Sequence, residues 1–491
     1  MNASQPVFDL VLRNGSVVDG SGREPFRADV GVRGERIAAV GRLDHAGSIV
    51  NVDASGLVVA PGFIDVHTHD DQAVFQWATS EAKLSQGVTS VVVGNCGTSL
   101  APLCLQGDPP PPLDLLGARD EYRFDTFAQY VQALQAAPLP VNVMALVGHG
   151  TLRVRNMDDF SRQATPEEIQ AMALDVHEAM AAGAAGMSSG LFYPINCGAD
   201  TNEVVALARV VAGYNGKLAM HIRDEGDDVA GAVQEAFQCA RRSKAFLVLS
   251  HQKVAGKANH GRSLEIMELY RQEGADVPFA IDAYPYTSGS SMLHPALVAT
   301  SEKVLLTWSK PHPEVCGRTL GEITTEWGCP QAETICRLQP AGAIYFMLDE
   351  ADVSRYLAWD RCMVGSDGIP SDPHPHPRLY GAFARILGEY ARDRALFSLS
   401  EAVRKMTSLP ASVYGLGERG LVQEGCFADL VLFDPNRVRD RATYAEPRQK
   451  AEGIERVFVN GRQAWPLPHD QNGCSGRFLP GRRVQSASEG T

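Results

Sequence analysis

No apolar run in this chain approaches the ~20 residues that a membrane-spanning helix needs, so no membrane segment is expected. Residues Met1 to Pro6 lack a basic stretch followed by a long apolar one, and no secretory signal is expected there. The ten cysteines include no Cys-x-x-Cys pair and no regular spacing. That usage suits a reduced, cytoplasmic setting and argues against a disulfide scaffold. Basic clusters are absent as well: 45 basic residues face 58 acidic ones, a balance of −13 spread along the chain without an acidic tail. Nucleic acid is therefore not expected as a partner. The charge speaks for solubility and not for the charge of any substrate, and nothing in the sequence fixes an oligomeric state.

What is present is length and alternation. At 491 residues the chain exceeds one ordinary domain and can bury a large core. The start reads as short strands and turns, with Asn14-Gly15 between apolar runs as a hairpin signal. The same texture returns at Ala428–Asp434 and Arg456–Gly461. Both termini are thus expected to build one small β-sandwich domain, from 1–60 and 416–491. Between them, eight apolar β-rich runs alternate with helical stretches: Val59–His69, Val88–Cys96, Val141–His149, Ala184–Gly190, Leu218–Arg223, Phe246–His251, Phe279–Tyr284 and Cys362–Asp367. Helices are predicted at Pro166–Ala182, Asn202–Gly213, Val229–Arg242 and Ser263–Glu273, the first opened by Thr165, Pro166 and Glu168. Eight such units predict a parallel (β/α)₈ TIM-like barrel over 61–415. An open doubly wound sheet is the rival. The gap between Tyr284 and Cys362 is too long for one βα unit, so an insertion at about 286–350 is expected over the barrel mouth. The Pro109–Pro112 run reads as a surface loop, and the Gly/Ser/Arg/Pro-rich tail after Trp465 as poorly ordered or wrapped over the surface.

Chemistry-bearing residues close these runs. His67 and His69 form a His-x-His after Gly62-Phe63-Ile64-Asp65-Val66, and residues two apart on a strand point the same way. Cys96, His221 and His251 each end a later run. Taken singly, Cys96 reads as a buried structural thiol, and His221 or His251 as a core histidine as readily as a ligand. Gathered at one mouth, thiolate and imidazoles suit zinc, and three ligands leave a position open for water. Such water ionises near neutrality and becomes a nucleophile. Asp367 precedes Gly368, which alone would mark a turn. Beside a metal it can take the water's proton and pass it to a leaving nitrogen. His149 could line the pocket or make a structural hydrogen bond, while His260, His294, His312, His374 and His376 lie in loops or among prolines.

The chain resembles the N-acyl-D-amino-acid deacylases (D-aminoacylases) of the amidohydrolase superfamily, over nearly its whole length. The resemblance rests on Pro61–Asp71, Gly94-Asn95-Cys96-Gly97, Ser188–Leu191, His221-Ile222-Arg223, Ser250–Lys253, Gly365–Gly368 and His376-Pro377-Arg378. It implies one tightly held zinc at Cys96, His221 and His251, and a weaker second position at His67 and His69 with Cys96 able to bridge. It also implies Asp367 as the acid/base and Arg378 as the anchor of the substrate α-carboxylate, a role suited to a planar bidentate fork. Tyr193, Lys253 and Tyr284 correspond to further polar groups at the site, and Ser290 and Ser291 are candidates beside them, although many loop serines serve only turns. The implied reaction releases a free D-amino acid from a linear N-acyl-D-amino acid, a small-molecule substrate.

Side-chain preference is the least determined feature. An acidic substrate such as an N-acyl-D-glutamate or -aspartate would want a second buried cation. Lys253 offers one, but the stretch from Pro285 to His294 holds no arginine, and its Met292 and Leu293 suit an apolar group. Neutral hydrophobic side chains are the reading adopted. A cyclic-amide hydrolase of the same superfamily would typically carry a bridging lysine on the fourth strand, and Met187-Ser188-Ser189-Gly190 has none. A non-catalytic assembly protein on the same fold would be expected to have lost some of the six groups present here.

Overall fold

The structure is a computed structural model that describes residues 8–44, 46–466 and 474–481. Residues 1–7 and most of the tail fall outside it. Eight barrel strands follow in order: β1 Phe63–Asp65, β2 Val88–Val93, β3 in two pieces (Asn142–Ala145 and Val147–Gly148), β4 Gly186–Gly190, β5 Lys217–His221, β6 Phe246–Leu249, β7 Phe279–Ala283 and β8 Cys362–Val364. Neighbours pair in parallel from β1 to β3 and from β3 to β8. A parallel bridge between Thr68 and Gly368 joins the first and last strands and closes the ring.

Period-two alternation explains the two cores. Ile64, Val92, Met144, Ala219, Val248, Ala280 and Met363, from seven strands, point inward and pack together. Their neighbours Val91, Val93, Val143, Leu218, Leu247, Ile281 and Val364 point outward and meet the helices. Those helices are Pro166–Ala182, Thr201–Gly213, Val229–Ser243 and Ser263–Glu273, within a residue of the sequence expectation. Thr165 caps the first in a capping box with Glu168.

The first expected strand is in fact two. Val58–Pro61 joins an eight-stranded sheet, pairing with Leu430–Phe433, and Phe63–Asp65 starts the barrel. Gly62 stands at the break, where a Cβ would come within 2.3 Å of Thr89. The eight-stranded sheet draws its strands from both ends of the chain and has its own core, including Leu12, Val30, Val32, Leu430, Leu432 and Phe458. Between β7 and β8 lies a three-stranded antiparallel sheet (Ser288–Met292, Lys303–Ser309, Ala341–Phe346) together with short helices. In the tail, residues 474–481 are ordered: Val143 N donates to Arg477 O and Leu479 N to Val143 O, and Leu479 plugs the barrel interior. Among the described residues no helix is long and apolar enough to cross a membrane.

Candidate metal centre

The inward register that builds the core delivers two groups to the mouth without further help. His221 lies two residues beyond the inward Ala219, and Asp282 two beyond the inward Ala280. Three others need a backbone turn. Cys96, His251 and Asp367 have φ of 54°, 33° and 50°, the left-handed region that a side chain disfavours by about 1–2 kcal/mol. Of eight such non-glycine residues among those described, these three stand together at the strand ends. Strain gathered there marks a site that the surrounding packing enforces.

His67 and His69 are not on a strand, since β1 stops at Asp65. Their turn is braced from below instead. The buried Lys83 ammonium donates to Asp65 Oδ2 at 2.9 Å and to Ser366 Oγ at 3.0 Å, and Ser366 N donates to Asp65 Oδ1 at 2.8 Å. Asp367 N donates to His67 O at 2.8 Å and His69 N to Gly368 O at 3.1 Å. Gly365 allows this approach, for a Cβ there would sit 2.5 Å from His67 Cβ.

Two donor sets result, sharing one thiol. Cys96, His221 and His251 offer atoms within 4.8 Å of one another, as do His67, His69, Cys96 and Asp367. Cys96 Sγ lies 3.2 Å from His67 Nε2 and 3.2 Å from His251 Nε2. Asp367 Oδ1 lies 3.2 Å from His69 Nε2 and 3.6 Å from His67 Nε2. Burial by itself would raise the Cys96 thiol, yet the imidazoles of His67 and His251 outweigh it and hold the thiol well below its ordinary range. Burial likewise opposes ionisation of Asp367, and the Arg378 guanidinium with His251 and His69 reverses that, so it is a carboxylate. Both ring nitrogens of His221 are buried with no hydrogen-bond partner in the protein. Buried polar atoms are rarely left so. Thiolate, imidazole and carboxylate at these separations are donors that suit zinc, and the cluster is able to hold metal.

The substrate residues expected from sequence surround the same cavity. Tyr193, Lys253, Tyr284, Ser290 and Ser291 line it with His221, His251 and Asp367. Arg378 is fully buried behind Tyr284, its Cζ 4.5 Å from that ring centre, with Nη1 2.9 Å from Asp367 Oδ2. Tyr284 Oη and Ser290 Oγ are buried without a protein partner. Met292 and Leu293 do not reach this cavity. They line an outer groove with Pro194 and Ile195, because the antiparallel strand Ser288–Met292 carries them past the mouth. The apolar wall comes from Phe192, Leu297, Tyr345 and Met347. His149 is structural: its Nε2 lies 2.8 Å from Glu203 and its Nδ1 3.0 Å from Ser189 Oγ, all buried. His376, set aside on sequence, lies 3.0 Å from Arg378 N through Nδ1 and 2.7 Å from Ser288 Oγ through Nε2.

Sequence reading missed two carboxylates. Asp282 lies 3.2 Å from His67 Nδ1 and accepts from His251 N at 2.8 Å. An aspartate inside the apolar run Phe279–Ala283 was the available signal. Glu225 lies 3.1 Å from His251 Nδ1 and accepts from Lys253 at 2.6 Å. It sits in a polar loop, Arg223-Asp224-Glu225, with nothing to distinguish it.

The chain is similar to known proteins over nearly its whole length. A model of the amidohydrolase family matches residues 51–288 and 358–464, leaving most of the inserted sheet unmatched. A D-aminoacylase from Alcaligenes xylosoxydans xylosoxydans is 50% identical over 97% of this chain and 98% of its own length. A solved D-aminoacylase with a binuclear metal centre, described as having one-metal activation and second-metal attenuation, superposes with a TM-score of 0.93 at 47% identity, over 96% of this chain and all of that one. An N-acyl-D-glutamate deacylase from Bordetella bronchiseptica, solved with zinc and a phosphonate mimic of the tetrahedral intermediate, does so with 0.93 at 44%, over 96% and 99%. From the sheet built of both chain ends through the barrel, the chain belongs to the amidohydrolase family, alongside D-aminoacylase.

Proposed function

We propose that this protein is a metal-dependent amidohydrolase that cleaves N-acyl-D-amino acids to a carboxylate and a free D-amino acid, with a preference for neutral hydrophobic side chains. The observation that carries the reading is one cavity lined by His221, His251 and the ionised Asp367, adjoining the rest of the donor cluster, with the buried Arg378 paired to Asp367. In this proposal Cys96, His221 and His251 hold one zinc tightly, and His67 and His69 offer a weaker second position that shares Cys96. Zinc there supplies Lewis acidity towards the acyl carbonyl and acidifies water. Asp367 Oδ1, facing His69 and His67, takes the proton of the attacking water and returns it to the leaving amine. Arg378 receives the α-carboxylate, with Tyr284 and Ser290 as free donors beside it and Tyr193, Lys253 and Ser291 completing the polar lining. Of the described residues, those within 8–60 and 416–466 are assigned to the small β-domain, 474–481 to a tail, 61–415 to the barrel, and 286–350 to an insertion over its mouth.

The preference for neutral side chains follows from charge pairing. Lys253, the cation that lines the cavity, already has Glu225 at 2.6 Å, and Arg378 behind Tyr284 is assigned to the α-carboxylate. A substrate with two carboxylates would bury the second without a free partner, at a cost of several kcal/mol. Phe192, Leu297, Tyr345 and Met347 instead offer an apolar wall. The test compares kcat/KM for N-acetyl-D-leucine and N-acetyl-D-glutamate, with both L-forms as controls. A higher value for the leucine derivative is expected. Preference for the glutamate derivative overturns the side-chain assignment, and preference for an L-form overturns the reaction.

A further inference from the structure

Lys253 Nζ, Glu225 Oε1 and His251 Nδ1 form a triangle with sides of 2.6, 2.7 and 3.1 Å. Their chemistry does not permit all three contacts to be hydrogen bonds at once. An ammonium only donates and a carboxylate only accepts, whereas Nδ1 does one or the other. If Lys253 donates to Nδ1, the ring proton must reside on Nε2, which faces Cys96 Sγ at 3.2 Å. Nε2 then has no lone pair for a metal. If Nδ1–H donates to Glu225, the lone pair on Nε2 is free. The fate of the second nitrogen thus selects the tautomer of the first.

Glu225 is placed to make that selection. It lies in the loop after β5, and its carbonyl accepts from Ala255 N at 2.6 Å, which pins it to the loop that carries His251 and Lys253. Its carboxylate accepts from Lys253 Nζ at 2.6 Å, and the same oxygen lies 3.1 Å from His251 Nδ1, so it is placed as an acceptor for either. Of the other carboxylates near His251, Asp282 is occupied with the backbone N–H of His251 and with His67, and Asp367 with Arg378 and His69.

We infer that Glu225 is a positioning residue: it accepts the Nδ1 proton of His251 against competition from Lys253, and so makes Nε2 a metal donor. The inference rests on the reading of His251 as a ligand. It assigns the Glu225–Lys253 ion pair a second task, since a lysine drawn towards the carboxylate is drawn away from Nδ1.

The test is zinc affinity of the full-length chain, measured by competition with a chelator, with far-UV circular dichroism and thermal melting as checks on folding. Glu225→Ala is expected to weaken zinc binding ~10–100-fold, the scale of lost outer partners at metal sites. Lys253→Met removes the competitor and is expected to leave affinity equal or higher. The double variant Glu225→Ala/Lys253→Met is expected to recover much of what Glu225→Ala loses. Unchanged affinity in Glu225→Ala, or a double variant as weak as it, overturns the inference. Should Glu225→Ala fail to fold, Lys253→Met still decides, because a loss of affinity there contradicts Lys253 as a competitor. His251→Ala keeps the two readings apart: undiminished zinc affinity in that variant overturns the ligand assignment itself.

Discussion

Arg378 Nη1 lies 2.9 Å from Asp367 Oδ2, while Asp367 Oδ1 faces His69 at 3.2 Å. The cation assigned to the substrate carboxylate is therefore also the strongest influence keeping the assigned proton acceptor ionised. Binding and proton transfer share one side chain. Replacing Arg378 with Met should raise KM ~10–100-fold, the worth of a charge-assisted pair of hydrogen bonds. It should also shift the acid limb of the rate profile to higher pH, because Asp367 protonates more readily without the guanidinium. A raised KM with an unmoved acid limb would show that the pair does not couple the two steps.

Asp367→Asn keeps the shape of the side chain and removes its basicity. Turnover should fall by at least ~10²-fold, the scale of general acid/base catalysis. Metal content, measured on the same preparation, should stay that of the wild type. Retained turnover would remove Asp367 from proton transfer.

The two donor sets make unequal demands on an ion. Cys96→Ala should abolish tight zinc binding, whereas His67→Ala should leave about one zinc per chain. Elemental analysis after dialysis against a chelator reads both. The reverse pattern would mean that the tight and weak positions are exchanged.

Asp372 gives a pH prediction away from the metal cluster. It is 2% exposed, and burial pushes its carboxyl up to about 7 against the pull of Thr307 and Arg378. The folded state thus keeps a proton that the unfolded chain releases near 3.8. Its contribution to stability is fully present below that value and is lost as pH rises through about 7. Asp372→Asn, neutral throughout, should melt above the wild type at pH 8, by at most ~4 kcal/mol of stability. The two should coincide at pH 4. Parallel melting temperatures across that range would place Asp372 outside this linkage.

Much of the site was legible because strand ends in a parallel barrel share one face. The residues closing the apolar runs, Cys96, His221, His251 and Asp367, come together as that rule requires. The rule fell short where the chain leaves the strand. Val59–His69 reads as one apolar run, yet it serves two sheets and ends before either histidine. Met292 and Leu293 are apolar residues in the stretch after Tyr284, but an antiparallel strand moves them outward and brings Tyr345 and Met347 back.

The sequence by itself determined the barrel and the sheet shared by the two chain ends, and it displays the thiol, imidazole and carboxylate groups that meet at the barrel mouth. Those follow from local periodicity and from residue chemistry, which a linear chain displays. Only the tertiary structure decided what stands behind those groups. Lys83 under the His-x-His turn, Asp282 behind His67 and Glu225 behind His251 are ordinary charged residues in sequence. Their meaning lies in distances between separate loops and strands. The pairing of Lys253 with Glu225 and of Arg378 with Asp367 is of the same kind. Net charge counts them as four ions, and only their proximity in a buried cavity makes them two neutral pairs.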